Sequence, residues 1–547
     1  MKNIVSLTCL ALIVISCKQN TQQLANNSEK EHLINWNDEI IYHVMPRSFY
    51  DSNGDRHGDL NGFVEKLDYL KELGVTTILF TPLYESGFYH NYFPTDYEKI
   101  DPEYGTMEEY IRFIKAVHSK GLKFLMDMET QYAQGEHRWF ADSYKNPDSE
   151  YSDFIYYTDS LNKYPEQIFM PAKSELFDFK TWPNTESHHI VILDLQNQRV
   201  KDWMINFYKF WVDPNQDGSF EDGVDGFRID HIMDDLDHKG ILTNLYKDLW
   251  KPIFEACKEV NPDIFILGEQ SDWGDYGDVM VKESGADAAF NFSLKFALTS
   301  EAKANDMYKS TETLGVHMDP QAIHRAVNEN LKRFKDHTYA ITFLENHDVA
   351  RFATLSGNED QMRLGGVLNL LLPGVPSIYY GQELGVTGKI HEWGSDVNHL
   401  PLREAFPWTP DYNDEGTAVF YKDSGEWWDI SFWNTDTPKK LALSVQQKDE
   451  TSLWNHYRKV IALRKDNAAF RRGTYEPILN DHLDVLAFKR AYEDETFAVV
   501  ANVSNAEITV ADFNLKQWQT DPVYGELHVN AEGELTLPPY GYAILKK

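Results

Sequence analysis

Cysteine is scarce: the 547 residues contain three. Two of them, Cys9 and Cys17, lie in the N-terminal segment, which leaves Cys257 alone in the body of the chain and rules out an internal disulfide framework there. A lone thiol in such a chain reads as a packed core residue. Basic residues are also few, 52 Lys and Arg against 86 Asp and Glu, a formal net charge of -34. That balance argues against nucleic acid or anionic lipid as a partner and says nothing against a neutral one. The acidic residues are spread along the chain, as on a solvated surface. Past the N-terminus no apolar run approaches the roughly 20 residues needed to span a bilayer, and there is no internal repeat or low-complexity block. The mature protein is expected to be soluble. Hydrophobic residues make up 42% of the chain and aromatics 14%, enough for several cores in a multidomain protein.

The most informative segment is Val224 to Asp230 (VDGFRID), where an arginine and a carboxylate stand two positions apart near the end of a strand-like run. In a strand such residues share a face, so Arg228 and Asp230 are expected to point one way and Phe227 and Ile229 the other. A nearby guanidinium holds a carboxylate ionised. Glu269 closes a second apolar strand, Ile264 to Glu269 (IFILGE). A charged, positioned aspartate with a second carboxyl group is the equipment of glycoside chemistry. The bland alternative for either segment alone is a structural ion pair.

Further short apolar or β-branched runs end in polar, Pro or Gly residues at Val75 to Pro82, Leu122 to Asp127, Ala340 to Asp348 and Gly374 to Gly381. Helix-like stretches, Leu60 to Leu73 and Met107 to Lys120 among them, lie between them with i, i+3, i+4 apolar spacing. The alternation predicts parallel βαβ units in an α/β fold, a (β/α)8 barrel that keeps its charged groups at the C-terminal strand ends. Asp127, Asp230, Glu269 and Asp348 would then converge on one rim.

The ordered motifs YHVMPRSFYDSNGDRHGDLNG, GVTTILFTPLYES, GFRID, GEQ, FLENHD and GVPSIYYGQE resemble those of the α-amylase superfamily, glycoside hydrolase family 13, from about residue 36 to the C-terminus. DSNGDRHGDLNG and the later LREAFPW are most similar to the oligo-1,6-glucosidase and α-glucosidase branch. The resemblance implies a retaining hydrolase of α-glucosidic bonds in oligo- or polysaccharides. A transglycosylase or isomerase on the same machinery, of the trehalose synthase-like or sucrose-acting kind, is the second reading, and a noncatalytic glycan-binding relative the third. It implies Asp230 as nucleophile, Glu269 as general acid/base and Asp348 as the carboxylate on the hydroxyls of the cleaved sugar. Arg228 and His347 support them. Tyr92 matches a tyrosine that stacks on that sugar, and Asp96, Asp127, Tyr132, His231 and Arg351 join the substrate-binding set. No organic cofactor is implied.

Two departures stand out. Where the family carries an Asn and a His shortly after Asp127, this chain has Gln131 and Tyr132. That His implies a hydrogen bond to the sugar 6-hydroxyl and that Asn often ligates a structural calcium. The subsite then accepts a sugar altered near C6, or reads glucose by other contacts, or Tyr132 simply replaces the lost hydrogen bond. His231 stands where a small or β-branched residue usually follows the nucleophile; it contacts the leaving sugar, or it is a core histidine satisfied by Asp234 or Asp235.

Asp51, Asn53, Asp55 and Asp59 repeat oxygen donors at alternate positions around Gly54, with His57 offering its backbone carbonyl, as hard-cation loops do. The resemblance implies calcium there. Asp213, Asn215, Asp217 and Asp222 have a similar rhythm but no glutamate at the twelfth loop position, so an Asx-rich turn is expected. At the N-terminus, Lys2 and the short apolar stretch Ile4 to Ile15 lead into Val14-Ile15-Ser16-Cys17, which resembles a bacterial lipobox. Residues 1–17 are read as a lipoprotein signal with Cys17 lipidated, and 18–35 as a polar tether. The only membrane contact is then a lipid anchor in the bacterial cell envelope. The barrel is expected at 36–132 and 190–466, interrupted by an inserted domain at 133–189 and followed by an antiparallel β-sandwich at 467–547.

Overall fold

The computed structural model describes residues 34–299 and 316–547, apart from 169, 172, 182–186, 336, 393–395, 481, 511–512, 514–516, 520 and 532–533. The signal segment with Cys17 and most of the tether lie outside the described residues. Asn37–Lys547 forms a single unit of the fold.

Eight strands close into a barrel: β1 (Ile41–Val44), β2 (Thr77–Phe80), β3 (Lys123–Met128), β4 (Gly226–Ile232), β5 (Phe265–Gln270), β6 (Ala288–Phe290), β7 (Tyr339–Thr342) and β8 (Val375–Tyr379). Each pairs in parallel with its chain neighbours, and β1 pairs with both β2 and β8. The predicted (β/α)8 architecture is the one observed. Both faces of these strands are covered, so they read as continuous apolar runs rather than alternating ones.

Several helices begin at side-chain caps. Thr106 and Glu109 make a reciprocal capping box for the helix Met107–Ser119. The stretch expected as one helix from Leu60 to Leu73 is two, Leu60–Glu65 and Leu67–Leu73, broken at Lys66, whose φ and ψ of -102° and 3° interrupt the hydrogen-bond ladder. Asp59 caps the first, accepting from the Gly62 amide. Gly74, in the left-handed region at φ 101°, ends the second.

Between β3 and β4, Tyr132–Gln134 pairs antiparallel with Ile190–Ile192, forming a stem from which the intervening chain hangs. That chain carries the helix Arg138–Ser143 and the strand pair Phe179–Lys180 with Ser187–His188. Lys239, in the loop after β4, reaches back to it, donating to Glu166 at 2.6 Å and the Met170 carbonyl at 3.1 Å.

After the helix Leu453–Asp466 the chain turns to antiparallel strands. A five-stranded sheet has the order Thr474–Pro477, Val485–Tyr492, Glu495–Asn502, Tyr542–Lys546, Tyr524–Gly525, and a three-stranded sheet is formed by Ile508–Val510, Leu535–Leu537 and His528–Val529. Period-two alternation explains how the larger sheet is used. Val485, Ala487, Ala498 and Val500 pack on Ile508, Val510, Leu535 and Leu537 of the smaller sheet. Leu486, Phe488, Val499 and Ala501 face the other way, into the large core that includes the barrel helices. Arg490 and Arg464 are buried across this junction, donating to the carbonyls of Leu371 at 2.6 Å and Leu370 at 2.7 Å. Among the described residues no helix is long and apolar enough to cross a membrane.

Candidate active site

The C-terminal ends of β3, β4 and β5 and the loop after β7 meet at one mouth of the barrel. In register, Arg228 on β4 lies beside Asp127 on β3 and Leu267 on β5. Inward-facing side chains therefore meet. Arg228 Nη1 donates to Asp127 at 2.8 Å and to Asp230 Oδ1 at 2.5 Å, while Nη2 donates to Glu269 Oε2 at 2.6 Å. Phe227 and Ile229 point outward and are fully buried under the helices, Phe227 edge-on to Tyr208.

Beyond Ile229 the β4–β5 register shifts, and His231 takes a left-handed φ of 42°. A bulge of this kind re-aims side chains. It turns Asp230 and His231 toward the cavity. His231 Nδ1 lies 3.6 Å from Asp230 Oδ2 and its Nε2 lies 3.8 Å from Glu269 Oε2. Asp230, His231 and Glu269 each offer an atom within 4.8 Å of the others.

The third carboxylate sits opposite. Asp348 Oδ2 is 3.0 Å from His347 Nε2, and its Oδ1 accepts from Arg403 Nη2 at 2.9 Å with His399 Nδ1 at 3.3 Å. Arg403 also holds the His347 carbonyl through Nε at 2.9 Å. The Tyr92 hydroxyl bridges Asp127 at 2.6 Å and His347 at 2.7 Å. A cavity of about 380 Å³ is lined by Asp230, His231, Asp348 and Arg403 together with the aromatic rings of Tyr92, Phe93, Tyr132, Phe179 and Trp273. Trp273 is braced by stacking on Phe292 at 4.8 Å. Apolar ring faces beside converging charges suit a pyranose.

Burial pushes Glu269 up to about 7, with the Arg228 and His231 charges pulling the other way. Burial also opposes ionisation of Asp230, but the charges of His231 and Arg228 outweigh it and hold the carboxyl below its usual range. Asp348 is held well below that range despite its burial, by His347, His399 and Arg403. His231 is raised: desolvation works against its charge, and Asp230 and Glu269 more than offset it. Two neighbouring carboxyl groups pushed apart in acidity can divide the roles of proton donor and nucleophile.

Residues 43–473 match the family described as alpha amylase, catalytic domain. The chain belongs to the α-amylase family. Residues 475–544 of this family member match the maltogenic amylase C-terminal domain. It is 31% identical to alpha-amylase 3 of Dictyoglomus thermophilum over 512 residues, covering 93% of each chain. It is 27% identical to an oligo-1,6-glucosidase of Bacillus cereus, covering 86% of this chain and 91% of the relative. The trehalose synthase/amylase TreS of Mycolicibacterium smegmatis is also 27% identical, over 92% of this chain and 88% of its own. Among solved structures, an alpha-amylase from H. orenii superposes with a TM-score of 0.70 at 27% identity, covering 93% of this chain and 99% of that one.

Within this α-amylase family member, Asp127, Tyr92, Arg228, Asp230, Glu269, His347 and Asp348 form one connected network. Two expected members stand apart from it. Asp96 sits on the hairpin strand Pro94–Ile100, where it pairs with Lys99 at 3.0 Å rather than facing the cavity. Arg351 is fully buried, donating to Glu345 at 2.9 Å and to the Tyr380 carbonyl at 2.6 Å, so it braces the loop and does not line the cavity. His231 contacts neither Asp234 nor Asp235 in the manner of a core histidine; it faces the catalytic carboxyl groups. Asp234 and Asp235 instead accept from the Tyr246 and Gly240 amides.

The departures after β3 have a shared geometry. Tyr132 lines the cavity with its hydroxyl donating to Asp237 at 2.6 Å. Gln131 does not face the cavity: its Nε2 reaches the carbonyls of Asp230 and His231, each at 3.2 Å, and Glu129 Oε2 at 3.3 Å. The longer amide thus satisfies two successive carbonyls at the bulge. Glu129 is buried beside the nucleophile, and desolvation together with the Asp230 charge raises it well above the ordinary carboxylate range.

The sequence does not mark Arg403, His399, Trp273 or Glu129 as site residues. Arg403 lies within the motif LREAFPW, but nothing in its spacing reveals that it reaches Asp348.

Proposed function

We propose that the chain hydrolyses α-glucosidic bonds of oligo- or polysaccharides with retention of configuration. Asp230 attacks the anomeric carbon, Glu269 protonates the leaving oxygen and then activates water, and Asp348 with Arg403 and His399 grips the sugar hydroxyls. The observation that carries this reading is the approach of Asp230 and Glu269 to within 4.8 Å, beside one cavity. Retaining enzymes hold their two carboxyl groups roughly 5 Å apart, whereas inverting ones need room for a water between them. Tyr132 in place of histidine supports a cleaved subsite read through a phenol anchored by Asp237. Incubation with maltose, isomaltose, sucrose, trehalose and longer α-1,4 glucans, followed by NMR of the first-formed anomer, tests it. Release of the α-anomer by the wild type and loss of turnover in Asp230→Asn are expected. Release of the β-anomer would overturn the assignment, and rearranged disaccharides would indicate transglycosylation on the same three carboxylates.

We also infer a structural calcium in the loop 51–59. Asp51 accepts from the amides of Asn53, Gly54 and Arg56, Asn53 from that of Asp55, and Asp55 from that of His57. Asp59 accepts from Ser52 and Gly62. These contacts leave lone pairs on an all-oxygen donor set, which fits a hard cation. His57 Nδ1 lies 3.0 Å from Arg47 and so would offer only its carbonyl. Bound calcium would neutralise the gathered carboxylates and stiffen the loop that follows β1. Lower thermal stability after EDTA, restored by calcium, with the effect reduced in Asp51→Asn, is the expected result.

The lipobox-like sequence ending at Cys17 supports a lipid-anchored protein of the bacterial cell envelope. Detergent-phase partitioning that disappears in Cys17→Ser tests this.

A further inference from the structure

The loop from Asp213 to Asp222 joins the helix Gln198–Val212 to β4, the strand that carries Arg228 and Asp230. Asp213 and Asp222 are 7% and 3% exposed, and each has a buried carboxylate oxygen, Oδ1, with no hydrogen-bond donor. A buried anionic oxygen without a donor is unfavourable and calls for a ligand. The other oxygens turn inward on the same loop. Asp213 Oδ2 accepts from the Gly218 amide at 3.0 Å, and the Asn215 amide group faces Asp222 Oδ2 at 2.7 Å and Asp217 Oδ2 at 3.0 Å. Three carboxylates therefore crowd one short turn. The charged group opposite is Lys115, 4.0 Å from Asp222 Oδ2 on a half-exposed, flexible side chain.

We propose that this loop is a second hard-cation site, taking calcium through side-chain oxygens of Asp213, Asn215, Asp217 and Asp222. The donor set decides the class. It contains oxygen and no imidazole or thiolate, which suits calcium and disfavours zinc or copper. Without a bidentate glutamate at the twelfth position, the site belongs to the weaker end of such loops.

The position of the loop gives the cation a structural role. Gly223 follows it so closely against the Val212 carbonyl that a β-carbon there would lie 1.9 Å away. The Val224 amide then donates to the Trp211 carbonyl and the Asp225 amide to that of Phe124, both at 2.9 Å. A cation held before these contacts would lock the end of the helix to the start of β4, at the opposite end of the strand from Asp230.

Calorimetric titration of the EDTA-stripped full chain with calcium chloride tests the site, using Asp217→Ala, Asp222→Asn and Asp51→Asn variants. Asp217 is exposed, so its replacement leaves the fold intact even if the Asp222 variant is unstable. Asp217→Ala and Asp222→Asn are each expected to bind one calcium fewer than the wild type, with turnover at low temperature unchanged. In the Asp51→Asn background, calcium is expected to raise the unfolding temperature still, and to stop doing so when Asp217→Ala is added. Calcium binding by Asp217→Ala with the stoichiometry of the wild type would overturn the proposal, whatever loop 51–59 does.

Discussion

Arg228 and Asp127 stand side by side in register on adjacent parallel strands, and Arg228 Nη1 donates to both Asp127 oxygens, at 2.8 and 2.9 Å. The same guanidinium reaches Asp230 and Glu269, so one planar cation sets the spacing of three carboxyl groups. Lysine offers a point charge without the fork. Arg228→Lys is expected to lower kcat/KM on the order of 10²–10³-fold, the scale for losing a preorganised donor. Steady-state kinetics with the Tm measured alongside checks it; unaltered kinetics would refute the positioning role.

The acidities predict a pH profile. Glu269, raised to about 7, must be protonated to act, so kcat/KM is expected to fall as pH rises through about 7. Asp230, held below the usual carboxylate range, must be ionised, so the acidic limb lies below that range. The His231 charge lowers both groups. Its removal raises both, and His231→Gln is expected to move both limbs toward higher pH. Limbs that stay in place in that variant would exclude charge on His231 as the cause.

Leaving-group chemistry separates the two carboxyl roles. Glu269→Gln is expected to cost about 10²–10⁴-fold on a disaccharide, the range for general acid catalysis, and far less in the first step on an aryl glucoside whose phenol departs unprotonated. Asp230→Asn is expected to lose on the order of 10⁴-fold or more on both. Burst and steady-state kinetics with a nitrophenyl glucoside distinguish these patterns.

Gln131 bears on the rate through the bulge rather than through the sugar. Gln131→Leu leaves the Asp230 and His231 carbonyls without their donor and is expected to cost about 1–3 kcal/mol in stability. It is also expected to lower kcat with KM little changed, since no ligand contact is lost. Gln131→Asn, one methylene short, is expected to behave similarly. A raised KM at constant kcat would place the amide in the subsite instead.

Much of this site is legible in the order of residues alone. Asp230 and Glu269 close apolar runs whose period and length mark them as strands, and charge at a strand end is conspicuous because everything before it is apolar. The two halves of the stretch from Leu60 to Leu73 are less legible, because the break at Lys66 leaves the apolar period almost unaltered. Asp96 and Arg351 mislead because their motif positions say which segment nears the site but not which way a loop side chain turns. Arg403 is hidden for the converse reason: its partner Asp348 comes to it through the fold of a long connection with no period of its own.

Residue type and local period are enough to assign alternating strands and helices and the antiparallel C-terminal module, since those follow from neighbours along the chain, whereas the three carboxylates are singled out by motifs that resemble those of the family. Barrel closure settles the rest. Adjacent strands lie about 4.8 Å apart, and it is that spacing, with the bulge at His231, which brings Asp230 near Glu269. The division of acidity between them follows as well, because desolvation and the shared Arg228 exist only once the ring has shut water out.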